Sequence, residues 1–185
     1  MMIKFEKVVA NVLDYYENYQ FNSITSELTN FFNVELSSFY LDYGKDILYI
    51  EGEDSSKRRS MLTVLYTILS KSVRLFAPIL SFTAEEIYDN MPYEDAESVH
   101  LLDFPEKNVI EDATLEAKWD KLLEVRDDVN KALEESRNEK VIGKSLEAAV
   151  EIYSNDSEVV ELLNSVDNLH QLFIVSSVEV KENDG

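Results

Sequence analysis

The chain has 185 residues, 45% hydrophobic and 29% charged, and 17 Lys plus Arg against 37 Asp plus Glu give a net charge of −20. That apolar fraction, with 10 Tyr and 9 Phe, can fill a core and excludes a wholly disordered chain, while zero Cys excludes disulfides, thiolate metal sites and a cysteine nucleophile. Four Gly and three Pro are too few for a turn-rich β-sandwich or barrel, so the composition points to a mostly α fold with short connections.

Residues 3–20 place Phe5, Val8, Val9, Val12, Tyr16 and Tyr19 at helical spacing, and Asn22 is the expected N-cap of the next segment. There Leu28, Phe31, Phe32, Leu36, Phe39, Tyr40 and Tyr43 continue a helical pattern, with a break expected near Asn33 and a helix end at Gly44. The short run Ile47–Ile50 is ambiguous, and Glu51–Asp54 reads as loop. Residues 55–77 form the clearest helix, with Leu62, Leu65, Tyr66, Leu69, Val73 and Phe76 as the expected core stripe. Pro78 stops it. Thr83-Ala84-Glu85-Glu86 fits a capping box opening a short helix to Met91, which Pro92 ends. Residues 93–111 read as a long connection pinned by Val99, Leu101, Leu102 and Phe104.

Asp112 to Lys140 is the second long helix, with Leu115, Trp119, Leu122, Val125, Val129, Ala132 and Leu133 as its stripe and Gly143 as its C-terminal residue of positive φ. Leu146, Ala148, Val150 and Ile152 then alternate with period two, a strand. Residues 157–166 read as a helix capped by Ser157, and 171–180 as a second strand. The expected organisation is a helical bundle over 1–140 followed by a small β-α-β unit over 141–185. No run approaches the ~18 apolar residues of a membrane span. The acidic, amphipathic N-terminus lacks a cleavage site for a signal peptide, so a reduced, cytoplasmic setting is expected.

Charge is unevenly spread. Residues 55–84 hold Lys57, Arg58, Arg59, Lys71 and Arg74 and no acid, +5, leaving −25 for the remainder. On a helical wheel Lys57, Lys71 and Arg74 fall opposite the expected stripe with Ser60, Thr63 and Thr67. The result is a basic, hydroxyl-bearing face about 25 Å long. Such a face suits phosphates, but a solvated surface paired with acidic neighbours is the commoner use, and the basic segment alone does not establish a nucleic-acid site. Arg137, Lys140 and Lys144 form a second small basic group. His100 and His170 have no metal-ligand spacing, and no Gly-x-Ser-x-Gly elbow or glycine-rich phosphate loop occurs. The chain reads as a module without its own catalytic site.

Residues 58–88, RRSMLTVLYTILSKSVRLFAPILSFTAEEIY, resemble the anticodon-binding helical domain of class I aminoacyl-tRNA synthetases. The strongest words are TVLY, RLFAPIL and TAEEIY. ELSSFYLDYGKDILY (35–49) and WDKLLEVRDDVNKALEESRNEKVIGKSLEAAVEIY (119–153) extend the similarity in the right order, and IGKSLEAAV favours the isoleucyl branch over the valyl and leucyl ones. Ser81-Phe82 stands where the family often has Pro before another residue, and Tyr88 where Trp is common. The HIGH-like and KMSKS-like signatures, the editing domain and the cysteine-rich zinc module have no counterpart here.

The resemblance implies a fragment of a larger ATP- and magnesium-dependent ligase, with no cofactor held in this stretch. It implies a bundle that binds the anticodon arm of tRNA, tRNA-Ile for the isoleucyl branch, alongside the rest of the synthetase polypeptide and no membrane. Lys57, Arg58, Arg59, Lys71 and Arg74 are the first candidates for phosphate contacts, followed by Lys45, Tyr43, Arg137, Lys140 and Lys144. An acidic helical protein-interaction module is the competing class.

Overall fold

The computed structural model describes residues 1–93 and 96–182. Residues 94 and 95 of the expected connection and 183–185 of the expected C-terminal unit lie outside the described residues. Contacts divide the chain into two compact units, Met1–Glu111 and Asp112–Gly185.

In the first unit α1 (Met2–Glu17) buries Ile3, Phe5, Val8, Val9 and Val12, as its period requires. Tyr19 follows in the left-handed region at φ 57°, and α2 (Phe21–Asn30) begins without a side-chain cap, so Asn22 lies inside the helix. α2 runs on through a π-helix (Phe31–Leu41) into α3 (Asp42–Tyr49) with helical backbone at both junctions. The expected break at Asn33 is instead a widened turn: the Ser38 hydroxyl donates to the Asn33 carbonyl, five residues back, at 2.7 Å. Gly44 is interior to α3 rather than terminal. A Cβ there would lie 1.6 Å from Met61 Cε, so the flexible end of the Met61 side chain occupies the space that a side chain at 44 would take.

Ser55 caps α4 (Ser56–Phe76), its hydroxyl accepting from the Arg58 backbone N–H. The core face of α4 differs from the expected one. Met61, Ile68, Ser72, Val73 and Leu75 are buried, whereas Leu62 and Leu69 are exposed. At about 100° per residue, Met61, Ile68, Ser72 and Leu75 centre roughly 90° away from the expected stripe. The reason is that α4 is apolar on two sides. Ile68 and Leu75 join Phe5, Val8, Val9, Val12, Ile24, Leu28 and Phe31 in one cluster, and Val73 joins Ala77, Ala84, Tyr88, Met91 and Val99 in another.

α5 (Ser81–Asp89) starts two residues before Thr83 and has no side-chain cap. Glu85 does other work: its carboxylate accepts from Ser98 Oγ at 2.9 Å and from the Val99 N–H at 3.1 Å, tethering the connection. Val99 is buried and Leu102 half-buried, and Phe104 lies against Tyr16 with centroids 4.9 Å apart. Leu101 is exposed and pins nothing.

In the second unit Asp112 caps α6 (Ala113–Asn138) by accepting from the Leu115 N–H at 2.9 Å. Leu122, Val129 and Leu133 are buried, while Leu115 and Ala132 are exposed. α6 ends on Lys140 at φ 61°, with the Val141 N–H donating to the Ser136 carbonyl, so Lys140 and not Gly143 takes the left-handed place. β1 (Ala149–Ser154) shows the expected alternation. Asp156 rather than Ser157 caps α7 (Ser157–Asn164), which buries Val160 and Leu163. Residues expected in the second strand form α8 (Leu169–Phe173), and β2 (Ser177–Glu182) begins only after Ile174 turns the chain at φ 56°. β1 and β2 pair in parallel, Ala149 opposite Ser177. Lys121 pairs with Glu158 at 3.0 Å, and Arg126 Nε donates to the Leu172 carbonyl at 3.1 Å. Thus α6, expected with the bundle over 1–140, groups with the β-α-β unit.

Candidate nucleic-acid interface

The basic residues of α4 do not form one ridge. Lys57 lies in its first turn, exposed and without a partner among the described residues. Arg58 is half-buried; Nη1 donates to the Glu51 carbonyl at 3.5 Å and Nε is buried with no partner among the described residues. Arg59 is exposed and pairs with Asp54 at 2.6 Å, Nε donating to the Glu53 carbonyl at 3.3 Å. Lys45, one turn before the end of α3, pairs with Asp42 at 2.6 Å, and that hydrogen bond holds its ammonium above the usual lysine range. These four cations flank the turn between α3 and α4.

Lys71 is elsewhere. Its Nζ sits 2.6 and 2.8 Å from the two carboxylate oxygens of Glu6, with side-chain exposures of 11% and 4%. The rotation of the core face carries it from the outer side of α4 to the border of the core. Arg74 is half-buried, donates to the Ser70 carbonyl at 3.1 Å, and lines a cavity of about 200 Å³ with Pro78, Val99, His100 and Phe104. The hydroxyl protons of Thr63 and Thr67 are committed to the carbonyls of Arg59 and Thr63 in their own helix. Tyr43 is half-buried and stacks on Phe39 at 6.3 Å, and burial raises its phenol above the usual range. Of the cations expected on α4, the exposed ones, Lys57 and Arg59, lie in its first turn.

In the second unit Arg137, Lys140 and Lys144 are all exposed around the end of α6. Arg137 Nε donates to the Leu133 carbonyl at 3.4 Å, and the Gly143 and Lys144 N–H groups donate to the Glu147 carboxylate at 2.9 and 3.2 Å. Cations here also face the negative end of the helix dipole, a structural use compatible with ligand binding.

Tyr49 and Ile50, which the sequence reading left unassigned, stand exposed at the C-terminal end of α3. The signal was present, an aromatic and an aliphatic residue immediately before an acidic loop. The ambiguity of the Ile47–Ile50 run hid it. Among the described residues no group of three or more His, Asp or Glu is placed to hold a metal ion, and no helix is long and apolar enough to cross a membrane. A groove of about 280 Å³ lined by Leu28, Phe32, Phe76, Ile79 and Leu80 is the kind of recess a protein-interaction module would use.

Residues 1–152 match the family described as "Anticodon-binding domain of tRNA ligase". The isoleucine–tRNA ligase of Staphylococcus carnosus (strain TM300) is 54% identical, the match covering 98% of this chain and 20% of that protein. That of Staphylococcus epidermidis (strain RP62A) is 54% identical over 100% of this chain and 20% of its own. That of Macrococcus caseolyticus (strain JCSC5402) is 54% identical over 97% and 20%. The chain spans about a fifth of the length of these relatives.

Proposed function

The chain belongs to the anticodon-binding domains of tRNA ligases, and from that premise we propose that it holds the anticodon arm of tRNA-Ile. In this reading it positions the tRNA for aminoacylation by the rest of an isoleucine–tRNA ligase polypeptide in the cytoplasm, where ATP and magnesium serve the catalytic part. The observation that carries the reading is 54% identity across nearly the whole chain to ligases named for isoleucine. That identity disfavours a valyl or leucyl assignment and a protein-interaction module.

The electrostatics shape how such a module works. A net charge of −20 repels a polyanion at long range, so approach is productive only through the local cationic groups. Lys57, Arg58, Arg59 and Lys45 in the first unit, and Arg137, Lys140 and Lys144 in the second, are the proposed phosphate contacts. Lys71 is spent on Glu6, and Arg74, half-buried with Nε on the Ser70 carbonyl, is a weaker candidate. Phosphate contacts orient the RNA without reading its sequence, and unpaired loop bases supply the information.

The test is an anisotropy titration of this chain with tRNA-Ile and with a tRNA of another anticodon, each at two salt concentrations. Affinity is expected to be weak, to fall steeply with salt and to favour tRNA-Ile. Salt-independent binding overturns the phosphate contacts, and equal affinity for the two tRNAs overturns the isoleucine assignment.

A further inference from the structure

Tyr49 ends α3 and is 85% exposed; its neighbour Ile50 is 77% exposed. Tyr49 makes no hydrogen bond and no ring contact among the described residues, so the fold itself does not use the ring. Its surroundings set it apart from Tyr19 and Phe82, the other aromatics that are at least 80% exposed. Tyr19 leans on the ring of Phe21 with centroids 6.2 Å apart, in a stretch (14–27) whose only charged residues are acids. Phe82 lies on α5, whose charged residues are all acidic. Tyr49 has Lys45 one turn before it on the same face of α3, close enough for the two to interact electrostatically. On the other side of the turn are Lys57 and the Arg58 and Arg59 guanidiniums, the last two drawn over residues 51–54 by the Glu51 and Glu53 carbonyls. Two of the acids at this corner, Asp42 and Asp54, are each neutralised by one of these cations, while Asp46, Glu51 and Glu53 add negative charge.

A flat ring presented to solvent with a lysine one turn away on its own helix, and an unpartnered lysine across the turn, matches a nucleobase on its phosphate backbone. The base face stacks on the ring and the flanking phosphates meet the ammonium and guanidinium groups. A purely apolar partner would gain from the ring and Ile50 but would offer nothing of opposite charge to Lys57. We propose that Tyr49 is a stacking platform for an unpaired RNA base, with Ile50 as its apolar neighbour and Lys45 and Lys57 on the adjacent phosphates. The proposal rests on the tRNA-binding reading and names the place on the first unit where a loop base is held.

The experiment compares the full chain with Tyr49→Ala, Tyr49→Trp and Lys57→Glu. The probes are an RNA hairpin with an unpaired loop carrying 2-aminopurine and a fully paired RNA duplex of the same length. Tyr49→Ala is expected to weaken hairpin binding about tenfold, to leave duplex binding unchanged and to abolish the quenching of 2-aminopurine. Tyr49→Trp keeps both binding and quenching. If Tyr49→Ala binds the hairpin as the parent does while Lys57→Glu weakens it, the platform is overturned and the tRNA reading stands. Equal losses toward hairpin and duplex also overturn the platform. If the parent chain binds neither RNA, the platform is overturned, and the tRNA reading is decided by the tRNA-Ile titration.

Discussion

Lys71 and Glu6 join α4 to α1 across the core border, with Nζ 2.6 Å from one carboxylate oxygen and 2.8 Å from the other. Both side chains are almost fully buried. Removing either partner strands a charge out of water, whereas replacing both with apolar groups does not. Lys71→Ala should lower the unfolding free energy by about 3 kcal/mol, and the Lys71→Met, Glu6→Leu double variant should recover most of it. Urea denaturation of the two variants measures this. Equal losses in both would show that the pair's value lies in packing and not in charge compensation.

The same double variant separates stability from binding. With Lys71 spent on Glu6, its removal should leave the salt dependence of tRNA affinity unchanged. Lys57→Gln and Lys144→Gln should each reduce the slope of log affinity against log salt by about 0.7–0.9. Titrations at four salt concentrations read the slopes. A lower slope in the double variant would put Lys71 back among the phosphate contacts.

Lys140 occupies the left-handed position that closes α6, at φ 61°. A side chain pays a steric penalty there that glycine avoids. Lys140→Gly should raise the stability of the chain by about 1 kcal/mol while weakening tRNA binding. Thermal unfolding and anisotropy on one protein sample test both signs. A variant that is more stable and binds equally well would show that the lysine serves neither purpose.

The Tyr16 hydroxyl donates to the Leu75 carbonyl at 2.7 Å, and burial pushes its phenol up to about 12 from 10.0. The folded chain thus holds this proton more tightly than the unfolded chain. The associated stability is complete below pH 10 and is lost as pH rises toward about 12. Parallel unfolding curves for the parent and Tyr16→Phe should show a steeper decline for the parent across that window. Identical declines would assign the loss to other groups.

The type and order of the longer elements were legible in the sequence because the period of apolar residues is a local property. Val8, Val9 and Val12 declared α1, Pro78 placed the end of α4, and the alternation of Ala148, Val150 and Ile152 declared β1. Local chemistry was less reliable at the ends of elements. Asn22, Thr83 and Ser157 all have capping side chains, yet α2 and α5 begin without a side-chain cap and Asp156 caps α7. Leu172 carries the alternation of a strand but is buried in α8, and β2 begins only after the chain turns at Ile174.

Sequence alone determined that this is a mostly helical, strongly acidic chain with a β-α-β tail, few cations and the words of a tRNA-binding family. Tertiary structure decided which of those cations remain available. α4 is apolar on two sides, so its own sequence could not say which side faces α1. That choice belongs to residues far away in the chain, Phe5, Val9 and Ile24 among them, and it turned Lys71 inward to Glu6 while leaving Lys57 in solvent. A helical period fixes an angle between neighbours on one helix; only contact with another helix sets where that angle starts.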